Sequence, residues 1–265
     1  MEGSLGSLMS IEQGSKEDLL EEVATLRTRV EQLQRLATLG ELTSTTTHEF
    51  NNLLMTILNY AKIGLRYKDE PSRDKAFQRI LDASNRAAKL TGTILSMARN
   101  RTGQMEPTDL RTVIEDTLLL MEKELQKYRI AVDKRLDSVP MISAIASQLQ
   151  RVLINLLVNA RQAMPNGGIV TMNLAFEEES GSVTLAIRDT GQGISPEVLP
   201  RIFDPFFSTK SGPDSSGKGG SGLGLSACRE IIEAHAGRIR VESTVGRGTQ
   251  FIIRFPVNRS DTHAA

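Results

Sequence analysis

The sequence predicts an all-α helical hairpin, followed by an α+β sandwich. Two observations predict this fold class. First, apolar residues recur at helical spacing from residue 19 to residue 100, where a polar segment with glycine and proline interrupts them. Second, helical patterns beyond that segment alternate with the two-residue periodicity of strands, which is typical of helices packed on one face of a mixed sheet.

Composition excludes several classes of function. Lysine plus arginine and aspartate plus glutamate each number 32, so no net charge favours nucleic acid or an anionic membrane. The single cysteine, Cys228, excludes an internal disulfide and is interpreted as a packing residue in a reducing compartment. No apolar run reaches the roughly 20 residues that span a bilayer. We therefore expect a cytoplasmic protein, or a fragment of a longer protein whose upstream domain is missing here.

Residues 1–35 are expected to form a frayed N-terminus and then a coiled-coil helix. Apolar residues step by four and three from Leu19 to Ala37, with charged residues between them, as in a coiled-coil seam. The seam changes register at Leu39 and Leu42. Either this slip passes an upstream signal down the helix, or it only joins two packing geometries.

A dimerisation hairpin is predicted over residues 36–100. One helix runs to about Tyr67, and a break at Lys68–Ser72 follows. A second helix, with Ser72 as its N-cap, runs to about Asn100. Both helices carry an apolar stripe, and a single hairpin cannot bury both. We therefore expect a homodimer whose two hairpins form a four-helix bundle.

The first hairpin helix places one histidine, His48, in a polar setting. Residues three and four positions away, including Ser44, Asn51 and Asn52, share its face and are polar. An isolated histidine is more often a satisfied surface or core residue than a catalyst. Here the adjacent Glu49 can accept a proton from the ring, so that a nitrogen lone pair is available as a nucleophile.

The sandwich is expected at residues 108–258, after a linker at 101–107 and before a tail at 259–265. Its predicted helices are Asp109–Gln126, Ala146–Met164 and Gly224–Ala236, the last ended by Gly237. Its predicted strands are Ile130–Leu136, Ile169–Phe176, Ser182–Arg188, Arg238–Ser243 and Thr249–Pro256.

Three segments of the sandwich carry residue types suited to a nucleotide. Asn155 and Asn159 share a helical face and offer amide oxygens to Mg²⁺. Asp189 follows a strand and precedes two glycines; its carboxylate can accept a hydrogen bond from an exocyclic amine and so select adenine. Residues 217–224 are glycine-rich and precede a helix, whose N–H groups suit phosphates. Each signal is weak alone, but together they predict a nucleotide site.

These motifs resemble those of two-component sensor histidine kinases, whose ATP-binding domain is of the GHKL (Bergerat) ATPase type. The resemblance covers about residues 36–257. Five boxes of that family are matched: the H box at residues 47–52, the N box at 155–160, the G1 box at 189–193, the F box at 203–210 and the G2 box at 220–224.

The resemblance implies a phosphotransfer reaction at the H box. His48 would accept the γ-phosphoryl group of ATP, with Glu49 as the general base. The next acceptor would be an aspartate in the receiver domain of a separate response regulator. Asn52 would orient a water molecule for dephosphorylation of that regulator, if the protein has phosphatase activity.

The resemblance also implies ATP and Mg²⁺ as cofactors. Asn159 would hold magnesium with support from Asn155, and Asp189 would bind the adenine amino group. The remaining residues expected at ATP are Gly191, Gly193, Lys210, Lys218, Gly220, Gly222, Leu223 and Gly224. The two lysines can equally be solvated cations of a loop. Residues 211–219 would form the ATP lid. Three residues would either dock that lid or fill the core: Phe203, Phe206 and Phe207.

Two other classes of protein remain as alternatives. GHKL ATPases of the gyrase or mismatch-repair kind, and anti-sigma serine kinases, would carry a glutamate base where this chain has Asn155. An amide cannot act as a base, which favours transfer to a histidine beside its own carboxylate. A non-enzymatic dimeric scaffold is disfavoured by the intact boxes. The other histidines, His235 and His263, are interpreted as a helix-end residue and a tail residue.

Overall fold

The computed structural model describes residues 22, 25, 50–67, 69–98, 104–209 and 222–257. The coiled coil predicted within residues 1–35 lies outside these ranges, except for Glu22 and Thr25, which are helical. The chain divides into two units, Met1–Ala37 and Thr38–Ala265. The second unit contains the hairpin and the sandwich. Within the described ranges, no helix combines the length and the apolar character that a membrane span needs.

Two helices form the hairpin: residues 50–66 (α1) and Glu70–Ala98 (α2). Helix α2 begins earlier than predicted because Asp69, and not Ser72, caps it. The Asp69 carboxylate accepts the backbone N–H of Ser72 at 3.0 Å. Hydrogen bonds from the Ser72 hydroxyl and N–H lower the pKa of the Asp69 carboxyl. Pro71 is tolerated because the N–H it lacks has no partner within the first turn.

The sandwich contains the three predicted helices, which are α3, α4 and α5, and the five predicted strands. It also contains two short strands that the sequence does not predict, β1 and β3, which pair with each other in antiparallel fashion. Strand β1 begins inside the segment predicted as the linker. The elements are β1 (Glu106–Thr108), α3 (Leu110–Lys127), β2 (Ile130–Leu136), β3 (Ile142–Ala144), α4 (Ala146–Ala163), β4 (Gly168–Glu177), β5 (Ser182–Asp189), a 3₁₀ turn (Leu199–Arg201), α5 (Gly224–Ala234), β6 (Arg238–Thr244) and β7 (Gly248–Pro256).

The five long strands form one mixed sheet in the order β2-β4-β5-β7-β6. Strands β2 and β4 are parallel, and the other neighbours are antiparallel. Alternate residues of the central strands point into a single core shared with α3, α4 and α5, among them Val170, Met172, Leu185, Ile187 and Ile253. The predicted α+β sandwich with helices on one face of a mixed sheet is therefore confirmed.

The hairpin contributes to the same core. Leu90 of α2 is only 2% exposed and belongs to the core cluster of the sandwich, and Leu53 of α1 packs against that cluster. On the rim of this contact, Arg86 of α2 forms an ion pair with Glu122 of α3. The two side chains are about one third exposed, so the pair adds little to stability, and burial of Leu90 dominates the contact.

Helix α5 ends two residues earlier than predicted. His235 is its C-cap residue, and Ala236 follows in the left-handed region with φ of 54°. The N–H of Gly237 donates to the carbonyl of Ile232, and the N–H of Ala236 donates to that of Glu233, both at 2.9 Å. These two bonds define a Schellman motif, whose left-handed position usually holds glycine. Here that position holds Ala236, and the expected glycine comes one residue later.

Replacing Ala236 by glycine is expected to stabilise the fold by about 0.5–1 kcal/mol, because glycine adopts the left-handed conformation without the steric cost that alanine incurs. Urea titration of both proteins would measure this difference. Ala234→Gly, inside the same helix, is the matched control and is expected to destabilise by about 1 kcal/mol. Equal destabilisation by the two substitutions would contradict this account of the helix end.

Candidate nucleotide-binding site

Helix α4 presents its two asparagines on one partly exposed face. Asn155 and Asn159 are half-buried, whereas the neighbouring Ile154 and Leu156 are fully buried. The Asn155 Nδ2 donates to the carbonyl of Gly224, the first residue of α5, at 3.3 Å. This donation leaves the Asn155 Oδ1 as the amide atom that can coordinate a cation. The contact brings the predicted N and G2 boxes together.

The Asp189 side chain is buried at the end of β5, with 4% of its surface exposed. Its Oδ1 accepts the N–H of Gly191 at 2.8 Å and the N–H of Thr249 at 3.2 Å. Burial raises the pKa of this carboxyl, while these two hydrogen bonds and the charge of Arg188 lower it in part. Both bonds use Oδ1, which fixes the orientation of the carboxylate and leaves Oδ2 to bind a ligand.

The loop after Asp189 packs against the C-terminal end of α4. A side chain at Gly191 would place its Cβ 2.7 Å from the Cβ and the carbonyl oxygen of Ala163, and Gln192 N–H donates to that carbonyl at 3.1 Å. Gly193 has φ of 72°, and an added Cβ would lie 2.2 Å from the carbonyl oxygen of Thr244. Only glycine fits there. The G1 loop is thus wedged between α4 and the β6–β7 turn.

Glycine is also required at Gly222, where the chain approaches the F box. Gly222 has φ of 66°, and an added Cβ would lie 2.4 Å from the carbonyl carbon of Phe206. Phe206 itself adopts φ of 63°, which is unusual for an aromatic residue, and its side chain is 74% exposed. The backbones of Phe206 and Gly222 are therefore in contact, although 15 residues separate them in the sequence.

The three phenylalanines of the F box have different environments. Phe203 is buried and makes an edge-to-face contact with Phe251, with 6.4 Å between ring centroids, while Arg229 lies over its ring at 4.2 Å. Phe207 is half-buried under Arg201 at 4.5 Å. Phe203 is thus a core residue, and Phe206 is the exposed aromatic of the box.

Several predicted site residues lie outside the described residues: His48, Glu49, Lys210, Lys218 and Gly220. Asn52 is described and is exposed on α1, where its carbonyl accepts the Thr56 hydroxyl at 2.8 Å. Leu223 is the N-cap residue of α5, and its carbonyl accepts the Ser226 hydroxyl at 3.0 Å. Of the predicted ATP-binding set, the structure brings together the N-box asparagines, the G1 loop and the start of α5.

Sequence reasoning missed two residues of this site. Thr249 is 4% exposed and binds Asp189 through its backbone, and Ala163 supports the G1 loop through its methyl group and carbonyl. Thr249 acts through its backbone N–H, so its side-chain type carries no signal. Its role depends on strand pairing, because β7 lies beside β5 in the sheet.

The described residues fit a magnesium ion held partly by a nucleotide. Helix α4 contains no Asp or Glu, and its half-buried Asn155 and Asn159 can offer only amide oxygens to a cation. Among the described residues, no cluster of three or more His, Cys, Asp or Glu side chains could hold a metal by itself. Magnesium characteristically keeps several waters and binds through substrate phosphates together with one or two protein oxygens. Such a donor set suits an ion that arrives with its nucleotide.

Two family models match the chain. The model described as "Histidine kinase-, DNA gyrase B-, and HSP90-like ATPase" matches residues 144–259, which include the N, G1, F and G2 boxes. The model described as "His Kinase A (phospho-acceptor) domain" matches residues 38–103, which include the H box. The chain belongs to the sensor histidine kinase family. The two matches lie in the order and at the positions that the sequence motifs predict.

Curated relatives of this chain are longer proteins. The signal transduction histidine-protein kinase AtoS of Escherichia coli K12 is 33% identical over 87% of this chain and 37% of its own length. The sensor kinase CckA of Brucella abortus is 34% identical over 89% of this chain and 26% of its own length. The chain therefore spans between about a quarter and two fifths of the length of these relatives.

Solved structures of histidine kinases resemble this chain in fold. The nucleotide-free catalytic domain of histidine kinase ThkA is 29% identical, and the alignment covers 58% of this chain and 98% of that domain with a TM-score of 0.50. Full-length ShkA, crystallised with AMPPNP, is 20% identical over 82% of this chain and 45% of its own, with a TM-score of 0.51. At that identity, the second likeness concerns the fold alone.

Proposed function

We propose that this sensor histidine kinase transfers the γ-phosphoryl group of ATP to His48, and then to an aspartate in the receiver domain of a separate response regulator. One observation carries the proposal. Two segments far apart in the sequence, the G1 loop and the start of α5, converge on helix α4 through the contacts of Gly191 with Ala163 and of Gly224 with Asn155. This convergence supports a site assembled for a nucleotide.

In the proposed complex, Asp189 binds the adenine base. Its Oδ1 is held by two backbone N–H groups, so Oδ2 accepts the exocyclic amine of adenine. Guanine carries a carbonyl oxygen at the corresponding ring position and would meet the carboxylate with an acceptor, which selects ATP over GTP. The wedge of the G1 loop against α4 keeps this carboxylate in a fixed position relative to the asparagines.

Asn159 and Asn155 would hold magnesium on the phosphates. Bound there, the ion supplies charge neutralisation for the phosphates during transfer. The residues of this chain that contribute to phosphate binding are proposed to be Lys210, Lys218 and the glycines Gly220, Gly222 and Gly224. Gly224 lies at the N-terminus of α5, where backbone N–H groups and the helix dipole favour anions.

The transfer step needs a nucleophile in line with the γ-phosphate. A ring nitrogen of His48 forms a bond to the γ-phosphorus, the bond to the bridging oxygen breaks, and ADP leaves. Glu49 orients the imidazole and takes up the proton that the ring loses. Because Asn155 replaces the glutamate base of the hydrolytic relatives, the carboxylate of Glu49 is the base that remains for this reaction.

A homodimer is proposed from the apolar surface of the hairpin. Helices α1 and α2 expose large apolar side chains that a single hairpin does not bury. Those at least 40% exposed include Phe50, Leu54, Met55, Leu58, Phe77 and Leu81.

Asn52 lies on the same hairpin with its side chain exposed. We assign it the orientation of water during dephosphorylation of the regulator.

Incubation of the native chain with γ-labelled ATP and magnesium tests this function. A phosphorylated histidine loses its label in acid and keeps it in alkali, so we expect alkali-stable, acid-labile label that a chelator of magnesium prevents. Acid-stable label would instead indicate a serine or threonine kinase. ATP binding without any label would favour the dimeric scaffold.

A further inference from the structure

His235 is a buried residue that the proposed reaction does not use. Its side chain is 5% exposed at the C-terminal end of α5. The Nε2 atom accepts the backbone N–H of Ile145 at 2.9 Å, and Nδ1 lies 2.7 Å from the carbonyl of Ile231. Since Nε2 is an acceptor, the ring proton is assigned to Nδ1, which donates to Ile231. Both nitrogens are therefore committed to backbone groups.

Ile145 is the N-cap residue of α4, the helix that carries Asn155 and Asn159. Ile145 offers no side-chain cap to that helix. Its own N–H is the group that a capping box would satisfy from within the helix. Here the acceptor for this N–H comes from α5, 90 positions later in the sequence. His235 thus joins the end of one helix to the start of the other.

Two more polar contacts follow the same pair of helices. The buried Cys228 Sγ lies 3.9 Å from the carbonyl of Val152, and Asn155 Nδ2 lies 3.3 Å from that of Gly224. Along α4 the contacts come in the order 145, 152 and 155, and along α5 in the reverse order 235, 228 and 224. Helices α4 and α5 are therefore antiparallel, and the first and last of these contacts lie about 15 Å apart along α4 at 1.5 Å per residue.

We propose that His235 is a positioning residue that sets the axial register of α5 against α4, and thereby places Asn155 opposite Gly224 in the nucleotide site. Ridges-into-grooves packing restricts sliding only loosely, because apolar contacts are not directional. A hydrogen bond to a backbone N–H at the helix start is directional and is lost with a shift of one residue. The inference rests on the proposed function, because it takes Asn155 as part of the ATP site.

Three substitutions of His235 distinguish a positioning role of its hydrogen bond from an effect of its side-chain volume. Glutamine places an amide oxygen near the position of Nε2 and keeps the acceptor for Ile145. Asparagine reaches only the position of Nδ1, and leucine has similar volume without an acceptor. We expect ATP affinity to fall about tenfold in His235→Leu and His235→Asn, and to stay within about threefold of native in His235→Gln. Val183→Ala, a core cavity at the far end of β5 from Asp189, is the control for lost stability.

Two readouts are needed, fluorescence-detected ATP affinity and the NMR signals of the Asn155 and Asn159 side-chain amides without nucleotide. The inference is supported if these signals shift in the leucine and asparagine variants, return in the glutamine variant and stay unchanged in Val183→Ala. It is overturned if glutamine and asparagine behave alike, or if Val183→Ala weakens ATP binding equally. If the native chain binds no ATP, the proposed function fails, while the amide signals still report the register.

Discussion

The His48→Gln variant is expected to acquire no acid-labile phosphate from labelled ATP, a fall on the order of 10³-fold or more from the native chain. The amide nitrogen of glutamine has its lone pair delocalised into the carbonyl, so it cannot attack phosphorus. The variant should bind ATP as the native chain does, because the ATPase family match begins only at residue 144. Label transfer and nucleotide binding, measured on the same protein, separate these two properties.

His263→Gln is the matched control, since it makes the same substitution in the C-terminal tail and should label as the native chain does. If the His48→Gln variant still acquired acid-labile label, another histidine would be the phosphoacceptor. His235 would be an unsuitable candidate, because both of its ring nitrogens bind backbone groups within the fold.

The Asp189→Asn variant is expected to bind ATP about 100-fold more weakly, equivalent to about 2.7 kcal/mol. The Oδ1 of the introduced amide would continue to accept the N–H groups of Gly191 and Thr249, because both native bonds use Oδ1. The Nδ2 group of that amide would then face the adenine amine with a donor against a donor. Titration with a fluorescent ATP analogue measures the loss, and Asp137→Asn on the exposed surface is the control.

The same variant is expected to keep or increase the stability of the nucleotide-free fold at neutral pH. Burial raises the folded-state pKa of Asp189 above the ordinary value of 3.8. The folded state then binds this proton more tightly than the unfolded state, so the free energy of unfolding falls as pH rises through the interval between the two pKa values. Above that interval the ionised, buried carboxylate costs stability in full, and asparagine avoids that cost.

Urea titrations between pH 4 and pH 8 would measure this difference. The Asp189 contribution to the pH dependence should vanish in Asp189→Asn and persist in Asp137→Asn. A large loss of stability at neutral pH in Asp189→Asn, without any change in ATP affinity, would show that the carboxylate serves the fold and not the nucleotide.

The elements of this fold that sequence predicts well are those with repeated local patterns. Helix α4 is predicted over Ala146–Met164 and forms over Ala146–Ala163, because apolar residues recur along the face that it buries. Strands β1 and β3 escape prediction because three residues are too few to show a period. The predicted cap of α2 is wrong by three residues, since aspartate and serine are both good N-caps and local sequence does not rank them.

The prediction of site residues is limited by contacts between residues that are distant in the sequence. The chemistry of Asn155 and Asp189 follows from residue type and order, so the sequence predicts both as part of a nucleotide site. The support for Asp189 comes from Thr249, 60 residues away, and the N–H of Ile145 is bound 90 residues away. Both contacts involve backbone groups, whose partners depend on how the strands and helices pair. Only the folded chain specifies those partners.

The burial of Leu90 sets an energy scale for movement of the ATP-binding domain. Separation of the ATP-binding domain from α2 would expose Leu90, which is now 2% exposed, and would part Arg86 from Glu122. Exposure of one leucine costs about 2 kcal/mol, and an ion pair that is already about one third exposed adds less than about 1 kcal/mol. A free-energy difference of this size between the closed and open states corresponds to an open population of roughly a few per cent or less. A signal that favours the open state by more than about 3 kcal/mol would make it the major one.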